Sequence, residues 1–167
     1  MNEQQLTEKV LDFLASINIP VNYRAVAEEE CFLPGLLIEN GAIIIDSDKM
    51  KFPGDILHEA GHIAVVTEAE RPDLNGKDIG NRKDNAAEEM MAIAWSYAAC
   101  VHLGIDPYFV FHENGYKGGG HSIADNFKEG KYFGVPMLEW TGMTGRSGGM
   151  GQASENPYPK MKKWLRN

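Results

Sequence analysis

Residues 55–66 read "DILHEAGHIAVV", with two histidines four apart and a glutamate directly after the first, all inside an apolar run. On an α-helix, positions i and i+4 project about 40° apart, so His58 and His62 can aim their imidazole nitrogens at one metal ion. Glu59 lies roughly 60° round from His62 on the same wheel, at the edge of that face. It is placed to reach a metal-bound water rather than the metal. Hydrolysis needs this pairing: an ion that acidifies its water and polarises a carbonyl, and a carboxylate that moves the proton to the leaving group.

The bland alternative is a core helix with incidental polar residues, and a lone histidine on this face would more often be that. A chance His-Glu-x-x-His in a chain of this length is on the order of one in a hundred, before the requirement that it fall on an amphipathic helix. Ile56, Ala60 and Ile63 form a stripe opposite the histidines that would seat the helix against a sheet. Gly61 costs the helix about 1 kcal/mol relative to alanine, which close approach of another backbone would explain.

A catalytic zinc usually takes three protein ligands and keeps one position open. A third histidine six residues after the second is absent, since Glu68 stands there, so the third ligand comes from elsewhere. The best source is residues 83–103, "KDNAAEEMMAIAWSYAACVHL", where Glu88 and Glu89 open an apolar, small-residue-rich stretch. Carboxylates there are expensive unless paired. The wheel favours Glu89, which shares a face with Ala92, Ile93, Ser96 and Cys100, over Glu88, which sides with Met91 and Trp95. A solvated first helical turn is the ordinary role for whichever is not the ligand. His112, His121 and an aspartate remain further options.

Working outward, Leu6, Val10, Phe13, Leu14 and Ile17 recur at helical spacing and predict a first helix ended by Pro20. "LLIENGAIIID" at 36–46 places apolar runs either side of Asn40-Gly41, the signature of a hairpin with a type I′ turn. The histidine helix is expected from Asp55 to about Glu68, and "RPDLNGKDIGN" at 71–81 reads as a surface loop. A largely buried helix over about 82–103 is closed by Gly104. Residues 115–151 are glycine-rich, with "GYKGGGH" and "GRSGGMG" predicting short elements and long loops. Neither has the ending of a phosphate loop. The whole reads as one α+β domain over 1–167, with a small, mostly antiparallel sheet and a glycine-rich C-terminal cap.

At 167 residues the chain is long enough to stand without metal or disulfide staples, so a metal here would serve function. Its net charge of −8 argues against nucleic acid and anionic membranes as partners. The one basic cluster, "KMKKWLR" at 160–166, reads as a solvated terminal helix docked through Trp164 and Leu165. The first residues have no basic start and no apolar core of a signal peptide, and no run approaches a membrane span. With only Cys31 and Cys100, a disulfide framework is not expected and a reducing cytoplasm is.

"HEAGH" followed one loop later by "EMMAIAW" resembles the gluzincin class of zinc peptidases, and within it the small bacterial ImmA/IrrE-like, or minigluzincin, domains. In that group the second helix begins with a ligand glutamate, with an alanine three residues on and an aromatic six on, as at Glu89, Ala92 and Trp95. The similarity spans roughly residues 36–103. It implies a zincin-like fold with His58, His62 and Glu89 as Zn²⁺ ligands and Glu59 as general base, and it implies no substrate. Such an enzyme also needs donors for a developing oxyanion. Candidates are His112, Tyr116, His121, Tyr132 and Arg146, all in the glycine-rich third, which would close over the site as a lid. His121 leads, because three preceding glycines permit close approach.

The expected activity is zinc-dependent hydrolysis of a peptide bond. The acidic balance mildly steers the site toward basic or neutral substrates, over a range of about 8 Å at cellular salt. Two rivals are a metal-binding regulatory module that engages a partner protein with little turnover, and a metallohydrolase of a small non-peptide amide.

Overall fold

The computed structural model describes residues 1–147 and 156–167, and the second glycine cluster, Gly148, Gly149 and Gly151, lies outside them. Five α-helices and three strands are present among the described residues, an α+β arrangement. Helix α1 (Glu3–Ser16) is opened by a capping box in which Asn2 Oδ1 accepts from Gln5 N and Gln5 Oε1 accepts from Asn2 N, each at 2.9 Å. Val10, Phe13 and Leu14 turn its apolar face into the core.

Strands β1 (Val21–Tyr23), β2 (Leu36–Glu39) and β3 (Ala42–Ile45) form a sheet in the order β1-β3-β2. All four residues of β3 are buried, as a central strand requires, while β2 alternates between buried and half-buried. The predicted hairpin joins β2 to β3: Asn40 and Gly41 have φ of 49° and 73°, the positive pair that a type I′ turn needs. A Cβ on Gly41 would also lie 2.3 Å from Arg71 O, so the loop after α2 packs on this turn.

The sheet is mixed rather than mostly antiparallel, because β1 pairs parallel to β3. Three residues are too few for a period-2 pattern, and β1 is fixed by tertiary pairing rather than local sequence.

Helix α2 (Asp55–Val65) carries the histidines and ends three residues before the predicted limit. Arg71 fixes that end: its Nε donates to Ile63 O at 3.1 Å and its guanidinium to Val66 O at 3.2 Å, capping carbonyls that have no helical partner. Helix α3 (Asn85–Leu103) is buried along most of its length and closes at Gly104, as predicted. α2 packs on β2 and β3 and also on α3, with Ile56, Ala60 and Ile63 fully buried.

At Gly61 the two helices come close enough that a Cβ would sit 2.8 Å from Ala92 O and 3.2 Å from Ala92 Cα. Ser96, one turn further along α3, donates its hydroxyl to Ala92 O at 2.7 Å and lies 3.2 Å from Leu57 O of α2. The glycine thus serves the backbone approach that its helix cost suggested.

Beyond α3 the elements are short, α4 (Gly120–Lys128) and α5 (Val135–Trp140). The terminal basic segment docks through Trp164, as expected, but is not helical. Trp164 sets its ring against Phe13, Trp95 and His102, while its carbonyl accepts from Trp95 Nε1 at 2.9 Å and Arg166 N donates to Ala64 O at 2.9 Å. These bonds to α2 and α3 take up backbone groups that a helix would satisfy internally. Among the described residues, no helix is long and apolar enough to cross a membrane.

Gly61→Ala would gain about 1 kcal/mol in an isolated helix, but here its methyl meets backbone that cannot yield without parting α2 from α3. The expected outcome is a net loss of about 1–3 kcal/mol, the usual range for overpacking. Urea denaturation followed by circular dichroism measures it.

Candidate metal centre

His58, Glu59 and His62 stand on α2, and Glu89 just past the first turn of α3. Because Gly61 and Ala92 let the helix backbones nearly touch, Glu89 reaches across to both imidazoles. His58 Nε2 lies 3.2 Å from His62 Nε2, and the Glu89 carboxylate lies 2.8 Å from His62 Nε2 through Oε2 and 3.8 Å from His58 Nε2 through Oε1. One ligand atom from each of the three residues lies within 4.8 Å of the others.

Two ligands about 2.0–2.1 Å from a tetrahedral ion stand about 3.3 Å apart, so this separation of the two ring nitrogens fits donors that share one metal. The group could hold a metal ion.

The charge states of His58 and Glu89 suit that role, while His62 is held toward its protonated form by the surrounding carboxylates, a proton that a bound metal would displace. Burial holds the His58 imidazole down at about 3, reinforced by His62 and opposed by Glu89, so its ring is neutral and keeps a lone pair at physiological pH. Burial also pushes His62 down, but its hydrogen bond to Glu89 and the charges of Glu59, Glu89 and Glu88 outweigh this and raise it. For Glu89, burial acts upward, yet the bond to His62 and the nearby imidazoles bring it below the ordinary carboxylate value. A negative carboxylate facing two ring nitrogens is a donor set for a divalent cation.

Glu59 stands apart from the cluster. It is half-buried, makes no hydrogen bond to the described residues, and burial drives its carboxyl up to about 7, with Asp55 and Glu89 adding to the rise and His62 opposing it. A carboxyl poised near neutrality exchanges a proton readily in either direction.

All four residues line a cavity of about 670 Å³. Its other walls come from the loop before β2 with that strand (Glu29, Phe32, Leu33, Leu37) and from the 3-10 turn Gly76–Asn81 (Ile79). Phe32 is wholly exposed at its rim. These walls come from the N-terminal half and the loop after α2, and among the described residues none of the glycine-rich third lines the cleft.

The other sequence candidates fall as follows. Glu88 is buried but turned away, gripped by Arg82 at 2.7 Å (Nε to Oε2) and 2.9 Å (Nη2 to Oε1). His112 is not in the cleft: its Nε2 donates to Asp55 at 2.7 Å and its ring stacks on Phe52. His121 is exposed on α4 with its ring against Tyr108, and Tyr132 packs on Phe127 and Tyr158. Arg146 is exposed, with no contact to the cluster. Tyr116 alone of the proposed oxyanion donors reaches the site, and it does so behind a ligand, with Oη 2.8 Å from His58 Nδ1.

The pairings His112–Asp55 and Tyr116–His58 each span 57 or 58 residues and left no periodic signal. The cleft walls were equally silent, apart from an apolar Phe32 following three glutamates in "EEECF". Compared with family models, curated proteins and solved structures, the chain has no match.

Exchanging each glutamate separates their roles. Glu89→Gln removes the negative donor, and elemental analysis of the purified protein should show metal content falling to background. Glu88→Gln should keep the metal and lose about 1–3 kcal/mol of stability in thermal unfolding, since the Arg82 guanidinium loses a charged partner.

Proposed function

We propose that this protein is a zinc-dependent hydrolase of the zincin type, resembling the minigluzincin peptidases, and that it cleaves a peptide bond. The observation that carries the reading is the meeting of two histidine Nε2 atoms and the Glu89 carboxylate at one point of a cleft, with Glu59, which has no hydrogen-bond partner among the described residues, beside them. Neither half is unusual alone. Together they supply three ligands plus a proton carrier, the requirement for metal-assisted hydrolysis.

His58, His62 and Glu89 would hold the ion. Zinc held there would supply Lewis acidity to a water and to the substrate carbonyl. Glu59 takes the proton of the attacking water and returns it to the amine that leaves. Phe32, Leu33, Leu37 and Ile79 give the cleft an apolar wall against which a substrate side chain can pack.

Strand β2 supports a peptide as the substrate. It is the edge strand beside β3, with Leu36 also bridged to Leu33 of the preceding loop, and it contributes Leu36 and Leu37 to the cleft wall. Leu36 N donates to Leu33 O at 3.3 Å. An extended chain can add to such an edge as a further strand, which orients its backbone carbonyls without reading its sequence.

The fully exposed Phe32 favours one rival, a module that docks a partner protein at the rim with little turnover. One variant separates the two readings. Glu59→Gln should retain one zinc per chain and lose hydrolysis of a fluorogenic peptide mixture by a factor on the order of 10²–10⁴, the usual worth of general acid–base catalysis. Activity equal to that of the unaltered protein would overturn the hydrolase reading. Removing the metal with a chelator should abolish turnover, and Zn²⁺ should restore it.

A further inference from the structure

We propose that Tyr116 is the positioning residue of the metal centre, fixing the tautomer and the ring plane of His58, and that the glycine-rich turn "GYKGGGH" exists to hold it there. The inference rests on the metal-centre reading above.

His58 faces His62 and Glu89 through Nε2, which leaves Nδ1 pointing away from the cluster. A metal-binding nitrogen must offer a lone pair, so in a metal-bound His58 the ring proton sits on Nδ1. Nδ1–H then donates to the Tyr116 hydroxyl oxygen, 2.8 Å away. The two rings meet edge-to-face at 5.2 Å and 81°, so rotation of the imidazole about its χ2 meets both a hydrogen bond and a packing contact. His62 differs in that its contact with Glu89 is made through Nε2, the atom facing the cluster.

Tyr116 is itself constrained. Its φ is 54° and that of Lys117 is 56°, two successive left-handed residues that are not glycine. The chain can hold them because the turn is pinned on both sides. Tyr116 packs on Phe111, which is fully buried, and Gly119 N donates to Tyr116 O at 3.0 Å. A Cβ on Gly120 would lie 2.2 Å from His112 O, so the start of α4 must be glycine for the turn to fold back on the strap that carries His112.

The same strap grips α2 a second time, through the His112–Asp55 bond one turn ahead of His58. Two contacts from one short segment therefore set both the register of α2 and the angle of one ligand ring. Among the described residues, no other side chain makes a hydrogen bond to His58 Nδ1.

The test uses the full chain. Tyr116→Phe keeps the ring and deletes the acceptor, and competition with a chromophoric chelator should show Zn²⁺ affinity falling roughly 10- to 100-fold. The Co²⁺-substituted variant should show shifted visible bands, because the ligand ring has changed its angle. The metal-free Phe variant should unfold as cooperatively as the metal-free unaltered protein, a readout that a loss of fold would move. Gly118→Ala is the second variant: Gly118 has φ of +84° with open space around it, so alanine strains the turn without touching the metal, and it should weaken Zn²⁺ in the same direction. Unchanged affinity and an unchanged Co²⁺ spectrum in Tyr116→Phe would overturn the inference while leaving the metal centre standing. Failure of the unaltered protein to bind Zn²⁺ would overturn both.

Discussion

The near-contact of two helix backbones, Gly61 of α2 against Ala92 of α3, is the constraint on which the site depends. A carboxylate on a short glutamate arm can meet two imidazoles on a neighbouring helix only if the helices almost touch. Ala92 and Ser96 provide the small surface on α3, and Gly61 provides it on α2. A larger residue at any of the three would open the distance that Glu89 must span.

That closeness carries an electrostatic cost. Bringing two imidazoles and three carboxylates into or beside the core is unfavourable unless each finds a partner, and the molecule divides the partners unequally. Glu88 is paired with the Arg82 guanidinium, and Glu89 stands against His62 Nε2. Glu59 has none among the described residues, and burial drives it toward its neutral form. A side chain left in that condition is a local violation of polar satisfaction, and such violations gather where chemistry is done. The surrounding core offsets it: the isoleucines of β3, the stripe of Ile56, Ala60 and Ile63, and the aromatic set of Phe13, Trp95 and Trp164 are apolar and closely packed.

The division of labour along the chain differs from what glycine content suggests. The cleft is walled by the N-terminal half and the turn Gly76–Asn81, while the glycine-rich segment after α3 works behind α2 through His112 and Tyr116. Glycines allow close approach, but which surface is approached follows from where the strap leaves α3. His121, with its three preceding glycines, had the right freedom and the wrong position.

The sequence by itself determined the local geometry. His58, Glu59 and His62 share a face because a helix has a fixed angular period, and Asn40-Gly41 makes a turn because few other pairs tolerate positive φ twice. The same period ranked Glu89 above Glu88, since small residues recur on its face. Only the tertiary structure decided what each side chain meets across space. That α1 is followed by a parallel strand, that Arg82 claims Glu88, that His112 serves Asp55 and Tyr116 backs His58, and that the cleft opens beside β2 all depend on contacts between residues far apart in the chain. Such contacts are selected by packing and leave no period behind.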